Sequence, residues 1–275
     1  MIDLFNISNS QQDVQIFYSN GSAWQTWRKP RKCNYVWIMC IGGGASGSNG
    51  GTVNSASGTP GGPGAITRIL YNSSQLPDIL YIQVGLGGAE SFATGNPGTR
   101  SVVSLLPAVV SQNIVSISGN VAASTGLPET AATQATMIFA SLGNFLSTQS
   151  TSFLNADVTP LSSTLVTWGG AGGSKDTGTS TVTPARSILS SSISPLISGG
   201  ISSTTTNGTN GSDGITSWNP FYSLGGAGGG GSLVGFGGKG GNGGIGSGGG
   251  GGGAGQLGGG NGGKGGDGLV IIISF

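Results

Sequence analysis

Nine Asp and Glu residues, ten Lys and Arg residues, two cysteines and no histidine make up the charged and metal-ligating side chains of this 275-residue chain. Without histidine there is no Ser-His-Asp triad, no general base titrating near neutral pH and none of the commonest metal ligand. The carboxylates are scattered singly, so no pair has the spacing of a glycosidase couple unless folding brings two together. Gly42, Gly44 and Gly47 stand in G-x-G-x-x-G register after a β-prone run, but Gly, Ser and Thr follow where a dinucleotide loop requires a helix. Cys33 and Cys40 lie in a segment that reads as one strand, on opposite faces and roughly 23 Å apart at about 3.3 Å per residue, which excludes a disulfide. Two cysteines without histidine do not make a zinc site. No catalytic residue, cofactor or metal is expected, and the chain does not read as an enzyme.

Binding chemistry has more material. Arg28, Lys29, Arg31 and Lys32 flank Pro30 in the main cationic cluster, which reads as a solvated turn between strands or as a contact for an anionic surface. A formal net charge of +1 gives no basis for binding nucleic acid. No apolar run reaches the length of a membrane span, and the first six residues, MIDLFN, lack the basic start and apolar core of a signal peptide. Assembly in the cytoplasm without membrane insertion is the expectation.

The elements that position these groups are dominated by glycine, 58 of the 275 residues. The closing segment from Gly237 to Phe275 holds few side chains until LVIIISF at 269–275, a β-prone run that has to be buried. Phe236, Lys239, Asn242 and Ile245 recur at every third position, as do Asn261, Lys264 and Asp267. Three residues per turn is the period of the polyproline II helix, which has no internal hydrogen bonds, so its backbone groups have to bond to neighbouring helices. Gly237, Gly238, Gly240, Gly241, Gly243 and Gly244, with Gly262, Gly263, Gly265 and Gly266, are therefore the scaffold glycines of a packed polyglycine II bundle. The fold class is mainly β, an antiparallel sheet or sandwich joined to that bundle, with little α-helix. Three regions are expected to form one integrated domain. Residues 1–104 carry strands and the first glycine tracts, 105–224 form a Ser/Thr-rich insert of loops and short strands, and 225–275 hold the polyglycine tracts and closing strand. Within the insert, 114–117 reads as β and 131–146 as weakly helical. The closing run at 269–275 is expected to pair with the strand at 35–41, since an unpaired apolar strand would be an aggregation edge.

The Trp27-Arg-Lys-Pro30 turn, the strand running into Gly42-Gly-Gly44, the Gly-Gly-Pro-Gly segment feeding a strand at 61–71, and LYIQVGLGG at 80–88 together resemble the glycine-rich domains of bacteriophage tail-fibre and related virion proteins. The closing Gly-Asp-Gly-Leu-Val-Ile-Ile-Ile run strengthens the likeness, which is similar to the polyglycine II tip adhesins of T-even-type long tail fibres and covers about 20–104 and 225–275. The resemblance implies a virion surface protein, assembled in the host cytoplasm and exposed on the particle. It would recognise a host glycan or outer-membrane protein through loops on a rigid scaffold. A purely structural role, as capsid decoration, head fibre or self-assembling filament, fits the same scaffold. Because the glycine-rich region begins almost at Met1, docking onto another virion protein or onto copies of itself is expected. Phe153, Trp168, Trp218, Phe221 and Tyr222, aromatic residues in polar surroundings, are the candidate receptor contacts; the competing reading for each is that it fills a small core beneath the loops.

Overall fold

The computed structural model describes residues 12–54, 56–64, 66–92, 94–107, 117–118, 137–141, 158–159, 169–185, 187–188, 197–219 and 221–275. Two larger sheets, three two-stranded ribbons and a glycine lattice make up the described molecule, one ribbon being the parallel pair β9 (Val158–Thr159) and β12 (Ser187–Ile188). In the first sheet β1 (Asp13–Tyr18), β15 (Leu269–Ser274), β3 (Tyr35–Ile41) and β4 (Ile66–Asn72) lie side by side in that order, all antiparallel. The closing strand therefore pairs with 35–41 as expected, Leu269 opposite Ile41 and Ser274 opposite Val36. It also pairs with β1 on its other edge, Leu269 opposite Tyr18.

The second sheet runs β2 (Gln25–Arg28), β5 (Ile79–Gln83), β6 (Ser101–Ser104), β8 (Met137–Ser141) and β7 (Ile117–Ser118), with β7 parallel to β8. The alternation of each strand decides what faces what. Phe17, Val36, Ile38, Cys40, Val270 and Ile272 of the first sheet meet Trp27, Leu80, Ile82 and Val103 of the second in one buried core. That burial pushes the Cys40 thiol far above its ordinary pKa. Met39, Ile41, Leu269, Ile271 and Ile273 point the other way, under the hairpin of β13 (Thr216–Trp218) and β14 (Phe221–Ser223). A strand covered on both faces has no solvent side to alternate with, which is why 269–273 is an unbroken apolar run.

One expectation needs correction. Within 131–146, where the composition reads as weakly helical, Met137–Ser141 is a strand bonded along β6. The open edge of β6 supplies a ladder of backbone partners, and that tertiary demand outweighs a marginal local preference. Among the described residues the one helical element is the 3₁₀ turn Ser73–Gln75, closed by a capping box between Asn72 and Gln75.

The lattice grows from one end of the first sheet, where Ile41, Ile66 and Leu269 lie side by side: β3 runs into 42–51, β4 follows 56–64 and β15 follows 258–268. Residues 246–255 sit at its centre and bond to six surrounding tracts. Their N–H groups point three ways: Gly249 and Gly252 donate to Ala45 and Ser48, Gly250 and Gly253 to Gly241 and Gly238, and Gly251 and Ala254 to Gly170 and Gly173. Their carbonyls accept in three further directions, from Gly61 and Gly58, from Gly226 and Gly229, and from Gly266 and Gly263. Partners advance by three residues in every direction, so the tract is a three-fold helix in hexagonal packing. Only Gly21 and Gly246 among the described glycines have positive φ. At most other tract positions glycine is required for space: a Cβ on Gly241 would collide with the Ser212 carbonyl.

All ten predicted scaffold glycines donate backbone bonds within the lattice. Gly237, Gly240 and Gly243 bond to 258, 261 and 264, whereas Gly238, Gly241 and Gly244 bond to 230, 227 and 224. The lattice also takes in 169–174, 197–203 and 207–214, so it reaches well into the segment that reads from sequence as loops. The signal there is short but visible: Gly208, Gly211 and Gly214 recur every third residue between Asn207, Asn210, Asp213 and Thr216.

Candidate functional site

The third-position residues explain how the lattice ends. The N–H groups of Phe236, Lys239, Asn242 and Ile245 meet no backbone carbonyl among the described residues. Each instead donates to a side-chain oxygen, Asn207 Oδ1 at 2.9 Å, Asn210 Oδ1 at 2.9 Å, Asp213 Oδ1 at 2.6 Å and Thr216 Oγ1 at 3.0 Å. This ladder satisfies donors that another glycine helix would otherwise bind.

Of the candidate aromatic contacts, Phe153 and Trp168 lie outside the described residues. Phe221 is buried with Met39, Leu269 and Ile271, where it fills the core beneath the hairpin and offers no face to a partner. Trp218 is half-buried beside it, ring centroids 5.3 Å apart, and stands edge-on to Tyr18 at 6.2 Å. Tyr222, on the opposite face of β14, packs half-buried on Ile188, Ile197 and Leu224. The structure thus gathers Trp218 and Phe221 and separates them from Tyr222.

Large exposed apolar side chains cluster elsewhere. The central tract carries the lattice roughly 28 Å away from the sheets, nine residues at about 3.1 Å each. At that far end the chain reverses at 51–56, 203–207, 232–236 and 255–258, and in the hairpin of β10 (Lys175–Asp176) and β11 (Thr181–Val182). Val53, Val234, Phe236 and Leu257 are exposed on or beside these turns, Leu257 at 64 %, and Ile201 nearby is 72 % exposed. The turns are tied together. Asn54 bonds Asp176 and Thr177, and the buried Lys175 amine donates to Gln256 Oε1 at 2.6 Å. Hydrogen bonds from the Thr179 hydroxyl and the Gly178 N–H hold the Asp176 carboxyl below its ordinary pKa. Sequence reasoning missed these apolar residues; the signal was a bulky residue next to glycine inside a turn, as in Leu-Val-Gly-Phe-Gly at 233–237.

A groove of about 370 Å³ opens on the flank where β1 ends, lined by Tyr18, Asn242, Ile245, Lys264 and Asp267 over glycine backbone. At the opposite pole the basic turn borders a hollow of about 540 Å³. There Lys29 is structural, donating to the Leu76 carbonyl at 2.8 Å and pairing with Asp78 at 3.2 Å, while Arg28, Arg31 and Lys32 are exposed. Among the described residues no group of three or more His, Cys, Asp or Glu side chains could hold a metal ion.

These features define a class: a β-sandwich that anchors a packed polyglycine II lattice and displays side chains from its turns and flanks. Residues 19–274 match the family described as a glycine-rich domain, and the chain belongs to that family. No curated protein matches the chain.

Proposed function

We propose that this protein is a bacteriophage virion surface protein, an adhesin at a tail-fibre tip that holds the particle to its host cell. The observation that carries this reading is the apolar set on the turns at the far end of the lattice. Val53, Ile201, Val234, Phe236 and Leu257 are exposed together at that end, whereas the other exposed large apolar residues among those described, such as Leu70, Leu86 and Phe92, lie apart from these turns in the chain, and clustered exposed apolar residues mark interaction surfaces. A backbone lattice holds those turns still, so little conformational entropy is lost when they bind. The expected partners are an outer-membrane protein or surface glycan of the host on one side, and other virion proteins or further copies of this chain on the other. No step of this role requires catalysis or a cofactor.

Fluorescently labelled full-length protein applied to a panel of Gram-negative bacteria tests the reading. Saturable binding to some strains is expected, lost in the double variant Val234→Ser, Leu257→Ser while its melting temperature holds. A second reading, capsid decoration or a filament subunit, draws on the same apolar turns, which a second copy could cover. Protein that binds no strain and forms ordered arrays under negative stain would replace the adhesin with that assembly role.

A further inference from the structure

We infer that the flank groove is a binding site for a neutral saccharide. The inference deepens the adhesin reading and rests on it for its biological setting. The groove's volume, about 370 Å³, lies at the low end of small-ligand sites, roughly 300–1,000 Å³.

Its chemistry is that of a sugar subsite. Tyr18 is half-exposed, 52 %, and its ring is steadied by the edge-on contact with Trp218. A fixed aromatic ring at a wet surface offers an apolar platform to the C–H face of a pyranose. Beside it, two planar polar groups are each fixed by one oxygen. Asn242 Oδ1 accepts the Lys264 N–H at 3.0 Å, which fixes the amide plane, and its nitrogen has no partner among the described residues. Asp267 Oδ1 accepts the Gly87 N–H at 2.8 Å and the Lys264 ammonium at 3.0 Å, leaving Oδ2 without a partner among the described residues.

The groove therefore presents a donor, an acceptor and the remaining protons of Lys264 Nζ, all held by lattice bonds. A sugar hydroxyl both donates and accepts, so neighbouring hydroxyls match such a set. Lys264 and Asp267 cancel in charge, which favours a neutral ligand over an anion or a cation. The glycine floor adds no side chains to immobilise, so most of the ordering cost is met when the lattice folds.

Saturation-transfer NMR on the full chain, with the methyl glycosides of glucose, galactose, mannose and N-acetylglucosamine as probes, tests the site. Transfer to at least one glycoside is expected. Its affinity should fall about tenfold or more, the equivalent of roughly 1.4 kcal/mol, in both Tyr18→Ala and Asn242→Asp. The second variant keeps an oxygen for the Lys264 N–H and exchanges the amide donor for a charged acceptor, so a purely structural role for Asn242, which that oxygen preserves, would not produce the loss. Arg31→Ala, at the opposite pole, should bind as the parent does. Absence of transfer to all four probes, or transfer undiminished in both variants, overturns the site. Glycoside binding without attachment to cells would leave the groove standing and remove the adhesin. Attachment to cells without glycoside binding would do the reverse.

Discussion

The sandwich and the lattice are held together by opposite means. In the sandwich, side chains from two sheets interlock, and backbone bonds join only neighbouring strands. In the lattice, the backbone is both wall and filling: the central tract bonds to six neighbouring tracts, the side chains buried inside are small ones such as Ala45, Ala227, Ser247 and Ala254, and the large side chains appear at the edges and turns. A side-chain core can relax around a change of one methyl group because rotamers and neighbours adjust. A core made of carbonyls and amides has no such freedom, since moving one tract breaks bonds to its neighbours. Stability in the first region is graded; in the second it is close to all-or-none at each position.

The closing strand belongs to both regions, so its removal is the harshest test. Deleting residues 269–275 takes away the strand between β1 and β3 and, with it, buried residues of both apolar clusters. The loss exceeds the roughly 5–15 kcal/mol that holds a domain folded, and insoluble protein is expected in an expression and sedimentation assay. A soluble truncation with native β circular dichroism would mean that the lattice stands without the sandwich.

Next in size is the contrast between adding a side chain to one region and trimming one carbon from the other. Gly241→Val drives a side chain into the Ser212 carbonyl and the bonds around it, at an expected cost of several kcal/mol, about 1–3 for each buried group left without a partner. Ile272→Val, deep in the sandwich, should cost about 0.5–1.5 kcal/mol. Thermal denaturation of the two variants measures the difference, and equal shifts would erase the distinction between the regions.

The edge ladder ranks with the milder of the two. Asp213→Ala frees the Asn242 N–H, which is near solvent and can bond water, so about 1 kcal/mol is expected. Hydrogen exchange should quicken at the Asn242 amide and stay slow at Gly250 in the lattice centre. Uniform exchange at both would show that the edge and the interior open together.

The smallest effect is electrostatic. Lys239 donates to Glu90 Oε2 at 2.7 Å and Asn261 to Oε1 at 3.1 Å, and the Lys239 hydrogen bond leads in lowering the Glu90 pKa below its ordinary value of 4.5. A carboxyl whose pKa is lowered by folding adds stability above its unfolded pKa and loses it as pH falls through the folded value. The pair is about one-third exposed, so screening holds the contribution under about 1 kcal/mol. Melting curves from pH 6 downward should show Glu90→Gln less sensitive to acid below pH 4.5 than the parent; parallel curves would remove the pair from the account of the lattice flank.

Much of this architecture is written locally. The period of three at 236–245 and 261–267 follows from which residues face an edge, and the unbroken apolar run at 269–273 follows from a strand with two covered faces. The strand at Met137–Ser141 was not legible, because the open edge of β6 decided it. The surface residues divide the same way. Tyr18 gave no sign of function in its own stretch of sequence, and only folding set its ring against Trp218, two hundred positions later, and beside Asn242 and Asp267. By itself the sequence determined that glycine tracts exist at 42–64 and 225–268 and that apolar strands flank them, since composition and period are local properties; that 197–203 and 207–214 join the lattice was decided by folding. Tertiary structure decided which tract lies against which. One glycine carbonyl is chemically the same as another, so tracts of this kind cannot select partners by their own residues. The sandwich that anchors their ends, the turns that set their lengths and the Asn and Asp side chains that close their edges make the choice.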